Sequence, residues 1–186
     1  MRHKHLLVGV ALGLALLTGC AVKMDTITVN TMIIEKKGTI SDISVEDFSG
    51  GSYDMAGLEQ YVTDEIDSYN QKAGADSVVM KALDTENPIV KVQLTYQDMD
   101  SYNGFNDTAY EMKDLAEETL TGSFTAADGS TVNATEINGE KLKVLKVSDA
   151  MDIIYKGKVL YYNQYVTEND GTYTASGEGE AVLVLK

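Results

Sequence analysis

The chain has 186 residues, with 29 Asp and Glu against 15 Lys and Arg, giving a formal net charge of −14. Both histidines (His3, His5) and the single cysteine (Cys20) fall within the first twenty residues, and there is no Trp. From residue 21 onward the chain therefore lacks imidazole and thiol, which excludes Ser-His and Cys-His relays, thiol nucleophiles, internal disulfides and Cys/His zinc sites.

Residues 1–5 read Met-Arg-His-Lys-His, a short basic start, and residues 6–17 form an unbroken apolar run. That run is shorter than the roughly 20 residues a membrane-spanning helix needs, and a basic stretch before a short apolar core is the pattern of an export signal. Leu17-Thr18-Gly19-Cys20 follows directly. Together these residues resemble the lipobox signal peptide of bacterial lipoproteins, a resemblance confined to residues 1–20. It implies cleavage before Cys20 and a diacylglyceryl group on the Cys20 thiol. Residues 1–19 would then be a removed leader, residues 20–25 a lipidated Cys with a very short tether, and residues 26–186 an extracytoplasmic domain. Loss of Arg2 and Lys4 takes the formal charge from −14 to −16 on a mature chain of 167 residues. The resemblance places the protein on the outer face of the plasma membrane, or on the outer membrane of a host that has one; Ala21 after the Cys favours the latter there.

Thr26-Ile27-Thr28-Val29 alternates like a strand. Ile33-Ile34 continues the apolar run, Glu35–Gly38 reads as a turn, and Ile40, Ile43, Val45 and Phe48 mark a returning strand. Residues 55–73 carry Leu58, Tyr61, Val62, Ile66 and Tyr69 at helical spacing, with Ser52 or Asp54 to cap the start and Gly74 to stop the end. Val78–Leu83 reads as a strand, Glu86-Asn87-Pro88 as a turn, and Val90, Val92, Leu94 and Tyr96 alternate with polar residues as a strand with one buried face.

Residues 98–108 (D-M-D-S-Y-N-G-F-N-D-T) read as a loop rich in turn formers. They gather Asp98, Asp100, Asn103, Asn106 and Asp107, so weak Ca²⁺ binding by Asp98, Asp100, Asn103 and Asp107 is the alternative to an ordinary turn. The EF-hand pattern is not met: Tyr102 stands where an acid belongs, the Gly comes one place late, and Ala109 replaces the closing Glu. No other cofactor is expected. Thr108-x-x-Glu111 reads as a capping box opening a helix over 109–120.

From residue 123 turn signals recur at Ala127-Asp128-Gly129, Ile137-Asn138-Gly139, Lys156-Gly157-Lys158 and Asn169-Asp170-Gly171. Between them lie predicted strands at 142–147, 151–155, 159–163 and 172–175, and Ala181–Leu185, apolar throughout, reads as a central strand. The fold class expected is α+β: a mostly antiparallel sheet with one or two amphipathic helices packed on one face. The change of character near residue 122 marks a candidate sub-boundary.

Eleven Tyr offer contact area with a polar tip. Tyr161, Tyr162, Tyr165 and Tyr102 are the candidate binding surface, set against the competing role of Tyr as a half-buried strand residue. No nucleotide-phosphate motif and no S-x-x-K sequence occurs. The acidity disfavours nucleic acid. The expectation is a non-catalytic, membrane-anchored lipoprotein that binds a protein, peptide or cell-wall component. A structural or envelope-assembly lipoprotein is one alternative. A carboxylate-dependent glycoside hydrolase using Asp98, Asp100 or Asp107 is the other.

Overall fold

The computed structural model describes residues 22–50, 54–85 and 88–186. The leader, the lipobox residues Leu17, Thr18 and Gly19, and Cys20 lie outside the described residues, as do the candidate cap Ser52 and the Glu86-Asn87 part of the predicted turn.

The expected strand at 26–29 does not form. Met24–Thr26 is one 3₁₀ turn, fastened by the Thr26 amide and hydroxyl to the Lys23 carbonyl at 3.0 and 2.7 Å. Lys91 Nζ holds the carbonyls of Met24 and Asp25 at 3.2 and 3.1 Å, so these oxygens meet a cation rather than a neighbouring strand. Pairing begins at β1 (Thr31–Ile34) and returns in β2 (Ile40–Asp47). In the turn between them Gly38 takes φ +97°, a conformation that side chains with a Cβ rarely adopt.

Helix α1 (Met55–Ala73) has Asp54 as its N-cap and Gly74 at its C-terminus, as expected. Its buried stripe is Val62, Ile66 and Tyr69, whereas Tyr61 is 63% exposed. Tyr61 lies one residue, about 100° of rotation, from the centre of that stripe. Strands β3 (Val78–Asp84) and β4 (Ile89–Tyr96) form an antiparallel pair, and β4 also pairs with β2. Asn70 of α1 closes the outer edge of β3 as another strand would. Its Nδ2 donates to the Val78 carbonyl at 2.8 Å and its Oδ1 accepts from the Val78 amide at 2.9 Å. Asn70→Ala leaves both groups of a fully buried residue unpaired, and a loss of about 1–3 kcal/mol is expected from the shift in urea midpoint. An unchanged midpoint would mean this edge needs no cover.

Residues 98–108 are not a loop: Met99–Asn106 is a second helix, α2. Asp98 caps it, accepting from the Ser101 amide at 2.8 Å and the Ser101 hydroxyl at 2.7 Å. Met99 and Tyr102 enter the core, and Phe105 meets Tyr69 and Tyr96 edge-on at 5.6 and 5.9 Å. Gly104 is not a turn residue. A Cβ there would stand 2.6 Å from Tyr69 Oη, so glycine is what lets α2 approach α1.

The helix expected over 109–120 is instead strand β5 (Glu111–Asp114) and then a 3₁₀ turn, Leu115–Glu117. Asp107 at φ +53° ends α2. Asn103 ties down the segment leading into β5, its Oδ1 accepting from the Thr108 hydroxyl and Tyr110 amide at 2.8 and 3.0 Å. Thr108 is thereby spent on Asn103 rather than on a new cap.

Strands β6 (Ser123–Ala126) and β7 (Thr131–Asn133) form the hairpin expected around Asp128-Gly129. The Ile137-Asn138-Gly139 segment joins strands that do not pair; a 3₁₀ turn at Ala134–Glu136 separates β7 from β8 (Lys143–Val147). Then come β9 (Met151–Tyr155), β10 (Val159–Asn163), β11 (Val166–Asn169), β12 (Thr172–Ala175) and β13 (Ala181–Leu185). The described residues thus give two helices and 13 strands in two mostly antiparallel sheets, an α+β fold dominated by sheet.

One sheet has the order β11-β12-β9-β1-β2-β4-β3 and the other β5-β8-β13-β10-β6-β7. After β8 the chain crosses between them four times, with the β11-β12 hairpin in one sheet, and strands from either side of residue 122 pair in both: β1 with β9, β5 with β8. One apolar cluster takes residues from both sheets and both helices, among them Ile34, Tyr96, Ile153, Leu145, Leu183, Ile66 and Tyr102. The opposite face of the β13 sheet has its own cluster around Phe124, Val144, Val182 and Val184, roofed by Leu115, Leu120 and Ile137.

Candidate functional site

The sequence candidates scatter. Tyr161 packs on the second cluster. Tyr162 faces the shared core and meets Tyr173 edge-on at 5.7 Å. Tyr102 is 5% exposed and belongs to the core, which removes it from any contact surface. Its burial stems from α2, since only a helix turns Met99 and Tyr102 inward together. Asp98, Asp100 and Asp107 are exposed, with Asp98 spent on its cap and the Asn103 carbonyl oxygen on Thr108 and Tyr110. Among the described residues no group of three or more acidic, His or Cys side chains is arranged to hold a metal ion.

Tyr165 alone lines an open hollow. It sits at the turn from β10 to β11, where the chain passes from one sheet to the other. Asn163 builds this turn, its Oδ1 accepting from the Tyr165 and Val182 amides at 3.3 and 3.1 Å and its Nδ2 donating to the Glu180 carbonyl at 2.8 Å. Gly179 passes so close to the Tyr165 ring that a Cβ would fall 2.5 Å from it, and the half-buried ring packs against the shared core.

The hollow, about 330 Å³, runs across the end of four neighbouring strands, from Lys146 on β8 through Val182 on β13 and Asn163 on β10 to Phe124 on β6. One wall is the segment Thr119–Ser123, which bends at Gly122 (φ +81°). That wall is held where Leu120 packs on the second cluster, the Gly122 carbonyl accepts from the Ala134 amide at 2.9 Å, and Glu118 binds Lys146 Nζ at 2.5 Å. Glu111 stands 3.4 Å from the same Nζ, and these acids raise the Lys146 pKa above the usual ammonium value, keeping it charged and occupied. Glu180, Gln164, Thr119, Thr121 and Ser123 are exposed, and their side chains make no hydrogen bond to any described residue. Sequence reasoning missed this set because the lining comes from four separate segments; Tyr165 was the one lining residue the sequence singled out.

A second hollow of about 510 Å³ lies beside the N-terminal segment, between Ile27, Val45, Pro88, Ile89 and Lys91.

A third feature is internal. Asp42 lies on the core face of β2, paired between Met32 and Leu94, and is 6% exposed. Its one hydrogen bond comes from the Ser44 hydroxyl at 2.7 Å. Burial, only partly offset by Ser44, pushes the Asp42 pKa up to about 6. Tyr96, Tyr102 and Tyr110 form a row with ring centroids 4.9 and 5.7 Å apart. Burial first, and the Asp42 charge in addition, push all three phenols well above their ordinary range. Tyr110 donates to the exposed Asp149 carboxylate at the rim.

No protein-family model matches the chain, and no curated protein or solved structure matches it.

Proposed function

We propose that the protein is a non-catalytic lipoprotein, anchored through Cys20 outside the plasma membrane or on the outer membrane, that binds a protein, peptide or envelope component. The observation that carries the binding part is the hollow beside Tyr165: an aromatic ring lining it together with exposed hydroxyl, amide and carboxylate side chains that make no hydrogen bond to any described residue. Polar groups converging on a concave surface are what a recognition site requires. The anchor part draws on the signal at residues 1–20 and on Lys91, which fastens the chain at Met24, four residues after Cys20. Four extended residues reach at most about 14 Å, so the folded body stays close to the membrane that holds its lipid.

Cys20→Ala is expected to move the protein from the membrane fraction to the soluble fraction with its near-UV circular dichroism unchanged. A photo-crosslinking residue at position 164 is then expected to capture an envelope component in intact cells. The same residue at Tyr61, exposed on α1, serves as the control. Membrane retention of the Cys20→Ala protein would contradict the anchor. Equal labelling at 164 and 61 would contradict the site.

A further inference from the structure

We infer that the hollow beside Tyr165 takes a neutral polyhydroxylated ligand, that is, a glycan segment; this rests on the reading of that hollow as a binding site. Charge decides against the other ligand classes. Lys146 is the cation in the lining, and it is already held by Glu118 and Glu111, at 2.5 and 3.4 Å. A phosphate or carboxylate ligand would meet no free positive group, would face the exposed Glu180, and would approach a chain with a net charge of −14. A strongly cationic ligand would find one carboxylate, Glu180, whose charge already acts on the Lys146 ammonium.

A sugar ring needs neither charge. Its hydroxyls donate to a carboxylate such as Glu180, exchange hydrogen bonds with the Gln164 amide, and meet the hydroxyls of Thr119, Thr121 and Ser123. Its C–H face packs on an aromatic ring, here Tyr165, which lines the hollow and is backed by the shared core. The volume, about 330 Å³, accommodates one or two sugar units, and the hollow is open at its surface for the chain to continue. Because Asn163, Lys146 and Glu118 are spent on holding the walls, the groups left for the ligand are already positioned.

The test is an amide ¹H–¹⁵N titration of the lipid-free mature domain with an N-acetylglucosamine tetramer and with maltotetraose, beside spermine and inorganic phosphate. At least one oligosaccharide is expected to shift the amides of residues 119–123, 163–165 and 179–180, with affinity in the millimolar range. Gln164→Ala and Glu180→Ala should each weaken it about tenfold with no change in Tm, since both side chains are exposed. The inference is overturned by oligosaccharide shifts that ignore both variants, by shifts confined to another surface, or by spermine or phosphate binding in place of the sugars. No response to either sugar, with crosslinking from position 164 to an envelope protein intact, overturns the glycan assignment while leaving the binding reading in place.

Discussion

Asp42→Asn is expected to make the protein about 3 kcal/mol more stable at pH 8, and to flatten its stability between pH 5 and pH 8. Asp42 sits on the core face of β2 with a single hydrogen bond, from Ser44, and its pKa is raised from 3.8 to about 6. No cation is among the groups acting on it; those its charge reaches are the phenols of Tyr96, Tyr102 and Tyr110, the last of which donates to Asp149. The native state therefore holds the Asp42 proton more tightly than the unfolded chain does. The stabilisation is fully present below the unfolded value near 4 and is lost as the pH rises through 6. Above that, a buried carboxylate remains with one partner. Asn keeps the shape and an acceptor for Ser44 without the charge. Asp47 and Asp128 run in the opposite sense, their carboxyls held low by Ser49 and Ser130, so they titrate below the window. Thermal melts of both proteins at pH 5, 6.5 and 8 check this; parallel curves for wild type and Asp42→Asn would contradict it.

Leu183→Ala is expected to cost about 2–5 kcal/mol, a large share of the 5–15 kcal/mol typical of a folded domain. Leu183 is fully buried on β13, paired with Leu145 on one side and Tyr162 on the other. Its side chain belongs to the cluster shared with Ile34, Tyr96 and Ile153 of the other sheet. The loss should therefore reach both sheets at once. Calorimetry should show one transition moving down as a whole. A second transition left at the wild-type temperature would mean that the two sheets fold separately.

What the sequence conveyed depended on the range of the interactions involved. The alternation from Val90 to Tyr96, the wholly apolar Ala181–Leu185 and the hairpin turn at Gly129 are local signals, and each produced the element expected. The misreadings at 26–29, 98–108 and 109–120 have causes remote in sequence. Gly104 looked like a loop residue because nothing nearby reveals that Tyr69 will press against it. The 109–120 segment has helical spacing, yet its Glu111 and Glu118 are drawn to Lys146 on β8, and the ladder between β5 and β8 outweighs local preference. The parallel pairing of β1 with β9, more than a hundred residues apart, has no local trace.

The candidate site was less legible than the fold. Of the four tyrosines singled out, Tyr165 lines the hollow; Tyr161 and Tyr162 serve mainly the two cores and Tyr102 lies wholly within one. A period-two pattern reports that Tyr161 and Tyr162 point to opposite faces, but each face of this sheet carries an apolar cluster, so each ring is half-buried against one of them. Glu180 and Thr121 acquire meaning only once β13 and β6 are placed in one sheet.

Whether the protein is a lipoprotein at all turns on the fate of Cys20. Mass spectrometry of the N-terminal peptide, from protein expressed at full length in a bacterium that processes lipoproteins, tests it directly. The expected result is a mature chain that begins at Cys20 and carries a diacylglyceryl group, with residues 1–19 absent. A chain that retains Met1, or one cut elsewhere with an unmodified Cys20 thiol, would contradict it.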